Sequence, residues 1–146
     1  MISIEKEKIL MAHGRKIDKI KVLLADDNEV VREGLISILE PQIDIEVVGQ
    51  AVDGLDAVVK AEELKPDIML MDGQMPGIDG TEATRRIKQI LPDVKIIFLT
   101  VYGDYVGGAL AAGASWYLTK DCRRQDLLEA IRVLAKSSRV KAVKSN

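Results

Sequence analysis

The chain has little of what several common chemistries need. Aromatic residues fill 3% of its 146 positions, too few for the stacking platforms that hold single-stranded nucleic acid. There is one cysteine, Cys122, so no internal disulfide can form. The single histidine, His13, has no ligand-type neighbour, which leaves no His/Cys cluster for zinc. No apolar run approaches the roughly 18 residues of a membrane span. The first twenty residues also lack the unbroken apolar core of a signal peptide. Together these absences predict a cytoplasmic protein.

What is present suits one soluble domain with an aliphatic core. Hydrophobic residues make up 47% and charged residues 30%, an ordinary globular balance. The net charge of −2 is unevenly spread. Lys and Arg outnumber acids over residues 1–21, and Lys136, Arg139, Lys141 and Lys144 carry the C-terminal end without any acid. The body between is acidic, which argues against DNA binding by the body itself. Residues 1–20 read as an extension, 21–136 as the domain, and 137–146 as a basic tail or the start of a linker.

The run Ile68-Met69-Leu70-Met71-Asp72 organises the domain. It is apolar at every position, the pattern of a strand buried on both faces of a parallel sheet. Gly73 and Pro76-Gly77 then build a loop, so Asp72 stands at the carboxyl end of a central strand. Four more strands are predicted: Lys21–Ala25, a shorter edge strand over Ile45–Ala51, Lys95–Thr100 and Ser115–Thr119. Between them the periodicity predicts helices. The first carries Val31, Leu35, Ile38 and Leu39 inward, with Asn28 as cap and Pro41 as stop. The second runs from Gly54 to Leu64 with Leu55, Val58 and Val59 inward. The third is opened by a capping box, Asp79 to Glu82, and buries Ala83, Ile87, Ile90 and Leu91. A fourth, over Asp104–Ala112, is weakened by Gly107-Gly108, each Gly costing roughly 1 kcal/mol against Ala. The last uses Leu127, Leu128, Ile131 and Leu134. Alternating strands and helices give an α/β fold with helices on both faces. The compact order for five units is 2-1-3-4-5, with ligands at the switch point between strands 1 and 3.

In that sheet four strands deliver Asp26-Asp27, Asp72, Thr100 and Lys120 to one rim. Three crowded carboxylates repel one another, and a divalent cation relieves this. An all-oxygen site fits Mg²⁺, which uses few carboxylates and takes further oxygens from phosphate. A cation beside an Asp, with an ammonium and a hydroxyl opposite, suits a phosphoryl group. Lys120 neutralises its oxygens, Thr100 donates a hydrogen bond and Asp72 is the nucleophile.

These residues resemble the receiver domain of bacterial two-component response regulators. The resemblance rests on Asp26-Asp27, Met71-Asp72-x-x-Met75-Pro76-x-x-Asp79-Gly80, Thr100 and Tyr117-Leu118-x-Lys120, and covers about Lys21 to Leu134. It implies a flavodoxin-like (receiver) five-stranded parallel sheet flanked by five helices. It also implies that Asp72 takes a phosphoryl group from a sensor histidine kinase. Asp27 would bind Mg²⁺ directly and Asp26 largely through water, with the Gln74 backbone carbonyl as a further ligand. Thr100 would move toward the phosphoryl group and Tyr117 into the space it leaves, reshaping the surface of the fourth helix, fifth strand and fifth helix. Such a protein is a signalling domain that catalyses only its own phosphorylation and dephosphorylation. The resemblance also implies a second copy as partner on phosphorylation and DNA reached only through an output domain outside this chain, with no membrane involved. The segment Ala112–Asp121 resembles the subgroup with LuxR/NarL-type output, which implies control of transcription. Trp116 is expected on the opposite side of its strand from Tyr117.

Some positions depart from the common pattern. Gly73 is smaller than usual, Val101 is bulkier, and Gln74 and Tyr102 occupy variable positions. Three other readings stand beside the main one. An aspartyl-nucleophile phosphohydrolase would carry a second Asp where Gln74 stands. A flavodoxin-like cofactor binder would have Ser/Thr where Asp26-Asp27 stand. A degenerate receiver would signal without phosphate.

Overall fold

The computed structural model describes residues 18–101 and 107–144, with side chains as far as residue 137. Five strands alternate with five helices: β1 (Ile20–Ala25), α1 (Glu29–Leu39), β2 (Ile45–Ala51), α2 (Gly54–Leu64) and β3 (Ile68–Asp72) lead the first half. The second half is α3 (Gly80–Ile90), β4 (Lys95–Thr100), α4 (Gly107–Ala112), β5 (Trp116–Thr119) and α5 (Arg124–Lys144). The strands form one parallel sheet in the order β2-β1-β3-β4-β5, as the sequence predicts.

Alternate residues of the central strands feed two cores, one on each face of the sheet. Leu23, Ala25, Met69, Met71, Ile96 and Phe98 meet Ala57 and Ala61 of α2, Ala83 and Ile87 of α3, and Ala109 of α4. Val22, Leu24, Ile68, Leu70, Ile97 and Leu99 meet Leu39 of α1 and Leu127, Leu128 and Ile131 of α5. All five residues of β3 are buried, which is why its sequence shows no alternation.

Several helix faces differ from their prediction. In α2, Leu55 and Val59 are about half exposed, while Gly54, Ala57 and Ala61 are buried. A helix drawn close to its neighbours buries small residues, and larger ones one step around must turn outward. In α3, Ile90 is exposed and Thr84 takes a buried position beside Ala83 and Ile87. The helix is entered through Asp79, whose Oδ1 accepts from the Glu82 amide at 2.9 Å, while the Glu82 carboxylate pairs with Arg85 and Arg86. Asn28 caps α1 as expected, accepting from Val30 and Val31.

Strand β2 lies at the sheet edge but, at seven residues, is the longest strand and not a short one. Its register on β1 slips between Val22 and Leu23, leaving Val48 without a partner. That bulge shifts the phase of the strand, so that Ile45 and Val47 face one core while Ala51, an even number of residues on, faces the other, which breaks the alternation in the sequence. The predicted start of the fourth helix, 104–106, lies outside the described residues, as do His13 and Tyr102. Helix α5 keeps its backbone helical through Lys144, past the expected boundary at 136. The rings of Trp116 and Tyr117 approach to 6.0 Å at an interplanar angle of 26°. Trp116 nevertheless shares the face of Leu118 and lines a groove with Ala130, Val133 and Leu134 of α5, as strand alternation predicts, so the two exposed rings meet around the edge of the sheet.

Candidate functional site

The carboxyl ends of β1, β3, β4 and β5 form one rim, and the strand register sets which residues meet there. Ala25 pairs with Met71, so Asp26 and Asp72 are the next residues on adjoining strands. Thr100 pairs with Thr119, which makes Lys120 the next residue beyond β5. The Lys120 amide donates to the Thr100 carbonyl at 2.7 Å and ties those two strand ends together.

One carboxylate oxygen from each of Asp26, Asp27 and Asp72 lies within 4.8 Å of the others. Asp26 and Asp72 are buried, 2% and 6% exposed, whereas Asp27 is exposed. Lys120 Nζ stands 3.1 Å from Asp26 Oδ2 and 3.3 Å from Asp72 Oδ1. Asp72 Oδ1 also accepts from the Gln74 amide at 3.2 Å, and Asp26 Oδ1 from the Asn28 amide at 2.9 Å. Asp26 Oδ2 is buried, with the Lys120 ammonium at 3.1 Å as its ion-pair partner.

Burial raises the Asp72 pKa above the usual carboxylate value; the Gln74 amide opposes this, the Asp26 charge adds to it and Lys120 opposes it. Burial also works against the Lys120 charge, but the carboxylates of Asp26 and Asp72 outweigh it and raise that pKa. Three carboxylates and one ammonium leave the cluster short of positive charge. Three carboxylate oxygens in reach of one another, two of them on buried residues and sharing a single ammonium, fit a hard divalent cation such as Mg²⁺.

The structure therefore brings together Asp26, Asp27, Asp72 and Lys120, with Thr100 buried (7% exposed) at the same rim. Gln74 is exposed in the loop after Asp72, its amide on the Asp72 carboxylate. Tyr117 is 41% exposed at the sheet edge, stacked on Trp116 and outside the cluster.

The sequence reading assigned no role at the rim to three residues that shape it. A Cβ on Gly80 would sit 2.3 Å from the Asp72 carbonyl oxygen, and one on Gly54 2.2 Å from that of Ile78. Both glycines thus allow helix starts to press on the loop after β3. Arg32 donates to the Asp26 carbonyl at 2.7 Å. A signal existed for each kind. A Gly in a first helical turn forfeits helix propensity, and a cation near a helix N-terminus opposes the dipole, so both invite a tertiary reason. Gly73, by contrast, has room for a side chain, since its Cβ would meet Phe98 at an ordinary 3.6 Å.

Comparison with known proteins agrees with this geometry. Residues 22–132 match the model of the response regulator receiver domain family. The chain is 43% identical over 125 residues to an uncharacterized transcriptional regulatory protein, YxjL, of Bacillus subtilis, covering 84% of this chain and 57% of that protein. It is 48% identical over 115 residues to the response regulator protein VraR of Staphylococcus saprophyticus, covering 77% and 55%. The chain thus spans little more than half the length of these relatives. Among solved structures, the receiver domain of a NarL response regulator from Mycobacterium tuberculosis superposes with a TM-score of 0.77 at 31% identity, covering 82% of this chain and 98% of that one. The response regulator domain of Thermotoga maritima CheB gives 0.75 at 37% identity, covering 81% and 97%. With its sheet order, its acidic rim and these relatives in agreement, the chain belongs to the response regulator receiver domain family.

Proposed function

We propose that this receiver domain accepts a phosphoryl group on Asp72 from a sensor histidine kinase, with Mg²⁺ held by Asp26, Asp27, Asp72 and the Gln74 backbone carbonyl. The observation that carries this reading is the Asp72 carboxylate at a strand end, in reach of Lys120 and of two further carboxylates. In the transfer a carboxylate oxygen of Asp72 attacks phosphorus, an acyl phosphate forms, and the P–N bond to the kinase histidine breaks with the electron pair leaving on imidazole nitrogen. Lys120 holds charge against the phosphoryl oxygens and Thr100 offers its hydroxyl to them. The cation, when bound, neutralises the carboxylates and the incoming oxygens.

The proposed output is a shift in the surface built from α4, β5 and α5, with Thr100 moving inward and Tyr117 following. A phosphoryl group can bias that equilibrium only through contacts it makes better in one state. Residues 21–136 act as the receiver unit, 1–20 as an extension, and 137–146 as a tail or the lead into an output domain. The reshaped surface serves dimerisation or an output domain outside this chain, through which DNA is reached and transcription controlled. The protein acts in the cytoplasm and catalyses only its own phosphorylation and dephosphorylation. No helix of the described residues is long and apolar enough to cross a membrane.

The test is incubation with acetyl phosphate and Mg²⁺, followed by intact-mass spectrometry. One phosphoryl adduct is expected on the wild type and none on Asp72→Asn. An unmodified wild type would favour a receiver that signals without phosphate; turnover without a trapped adduct, blocked by Asp72→Asn, would favour a hydrolase.

A further inference from the structure

Arg32 lies near the N-terminal end of α1, half-buried, where the helix dipole disfavours a cation. Its Nη1 donates to the Asp26 carbonyl at 2.7 Å, and its Nε donates to Gln50 Oε1 at 3.0 Å. Gln50 lies near the end of β2, and its own carbonyl accepts from Lys60 of α2. A single guanidinium thus joins α1 to the ends of β1 and β2.

The carbonyl that Arg32 holds belongs to the peptide linking Asp26 to Asp27. The rest of Asp26 is already tied: its amide donates to the Ala51 carbonyl at 3.1 Å and its Oδ1 accepts from Asn28. Fixing the carbonyl as well sets the plane of the Asp26–Asp27 peptide, and with the next peptide held through the Asn28 amide on Asp26 Oδ1 the backbone on both sides of Asp27 is restrained, and with it the direction of the exposed Asp27 side chain. We propose that Arg32 is a positioning residue for the divalent cation, orienting the Asp26–Asp27 peptide so that the Asp27 carboxylate faces Asp26 and Asp72.

This rests on the metal reading given above, and its sign separates it from a purely electrostatic role. A guanidinium beside a cation site repels the cation, so if charge were all that mattered, removing Arg32 would tighten Mg²⁺ binding. Positioning predicts the reverse. Outer groups that orient metal ligands typically contribute about 10–100-fold in affinity.

The experiment is calorimetric titration of Mg²⁺ into the full chain, as wild type, Arg32→Ala, Arg32→Lys and Gln50→Ala, with thermal unfolding of each in a chelator. About tenfold weaker binding is expected for both Arg32 variants, because an ammonium cannot reproduce the two-point fork, and a smaller loss for Gln50→Ala. The Mg²⁺ half-saturation of phosphorylation by acetyl phosphate should rise in step, with the rate recovered at excess Mg²⁺. Tighter binding by Arg32→Ala, wild-type binding by Arg32→Lys, or a lowered melting temperature with unchanged affinity would each overturn the proposal. Were the wild type itself not to bind Mg²⁺, the metal reading would fall with it. Binding by the wild type and equally by the variants would sink only the role of Arg32.

Discussion

Gly80 offers a direct measure of how tightly the loop after β3 is clamped. An added Cβ would lie 2.3 Å from the Asp72 carbonyl oxygen, 3.0 Å from the Gly73 Cα and 3.1 Å from the Asp72 carbonyl carbon. All three are backbone atoms, so no side chain can rotate away. Restoring ordinary contact means moving the start of α3 from the end of β3 by about 1 Å, and overpacking of this kind costs about 1–3 kcal/mol. Replacing Gly by Ala recovers about 0.4–1 kcal/mol through the unfolded chain, which leaves Gly80→Ala a net loss of roughly 1–2 kcal/mol. For a domain of this size that corresponds to a drop in melting temperature of about 3–10 °C. The displaced residue is the proposed nucleophile, and misplacement by about 1 Å can cost up to about 100-fold in rate. Circular dichroism melting and phosphorylation by acetyl phosphate give the two readouts. Gly73→Ala is the control one residue from Asp72; its Cβ would meet Phe98 at 3.6 Å, and it should melt with the wild type. If Gly80→Ala melts and reacts like the wild type, the close approach does not constrain the site.

Two further outcomes follow from groups the fold leaves in tension. Thr84 is fully buried with no partner for Oγ1, so the near-isosteric Thr84→Val should raise stability by about 1 kcal/mol, and a lowered melting temperature would count against an unsatisfied hydroxyl. Because burial, with Asp26 adding to it, raises the folded-state pKa of Asp72, the folded chain keeps that proton to higher pH than the unfolded chain, and stability is lost as pH rises through the gap. In a chelator, the melting temperature of Asp72→Asn minus that of the wild type should therefore grow from acid toward neutral pH and then level; a difference independent of pH would refute it.

The sheet was legible because β3 and β4 are apolar runs that end in polar groups, and because parallel strands joined by helices leave few compact orders. The grouping of the candidate residues at one rim was legible for the same reason: a strand end is a position that sequence can mark, and Asp26, Asp72, Thr100 and Lys120 each stand at the end of such a run. The helix faces were harder. Leu55 and Val59 have the hydrophobicity of core residues, yet α2 turns Ala57 and Ala61 inward, because distance between elements, and not apolarity, selects the side chain that fits. Periodicity cannot distinguish two stripes when both are apolar. Nor does it register a donor such as Arg32, whose partner is a backbone carbonyl on another element. The pairing of Trp116 with Tyr117 escaped for a related reason, since alternation fixes where side chains start and not where exposed ones turn.

Lys120 divides its charge between two carboxylates, and that division links the proposed chemistry to the sheet. With Nζ 3.1 Å from Asp26 and 3.3 Å from Asp72, the ammonium favours neither strongly. The proposed phosphoryl group on Asp72 would add anionic oxygens on one side only and draw the ammonium toward them. Asp26 would then share less of the ammonium, and its carboxylate would lean more on the cation of the proposed site. Lys120 is itself tied through its amide to the Thr100 carbonyl, so movement of its backbone would be felt at the end of β4. A redistribution of charge on Lys120 would thus pass from the edge strand β5 to the end of β4 through one short backbone hydrogen bond. No continuous chain of polar side chains is needed for it.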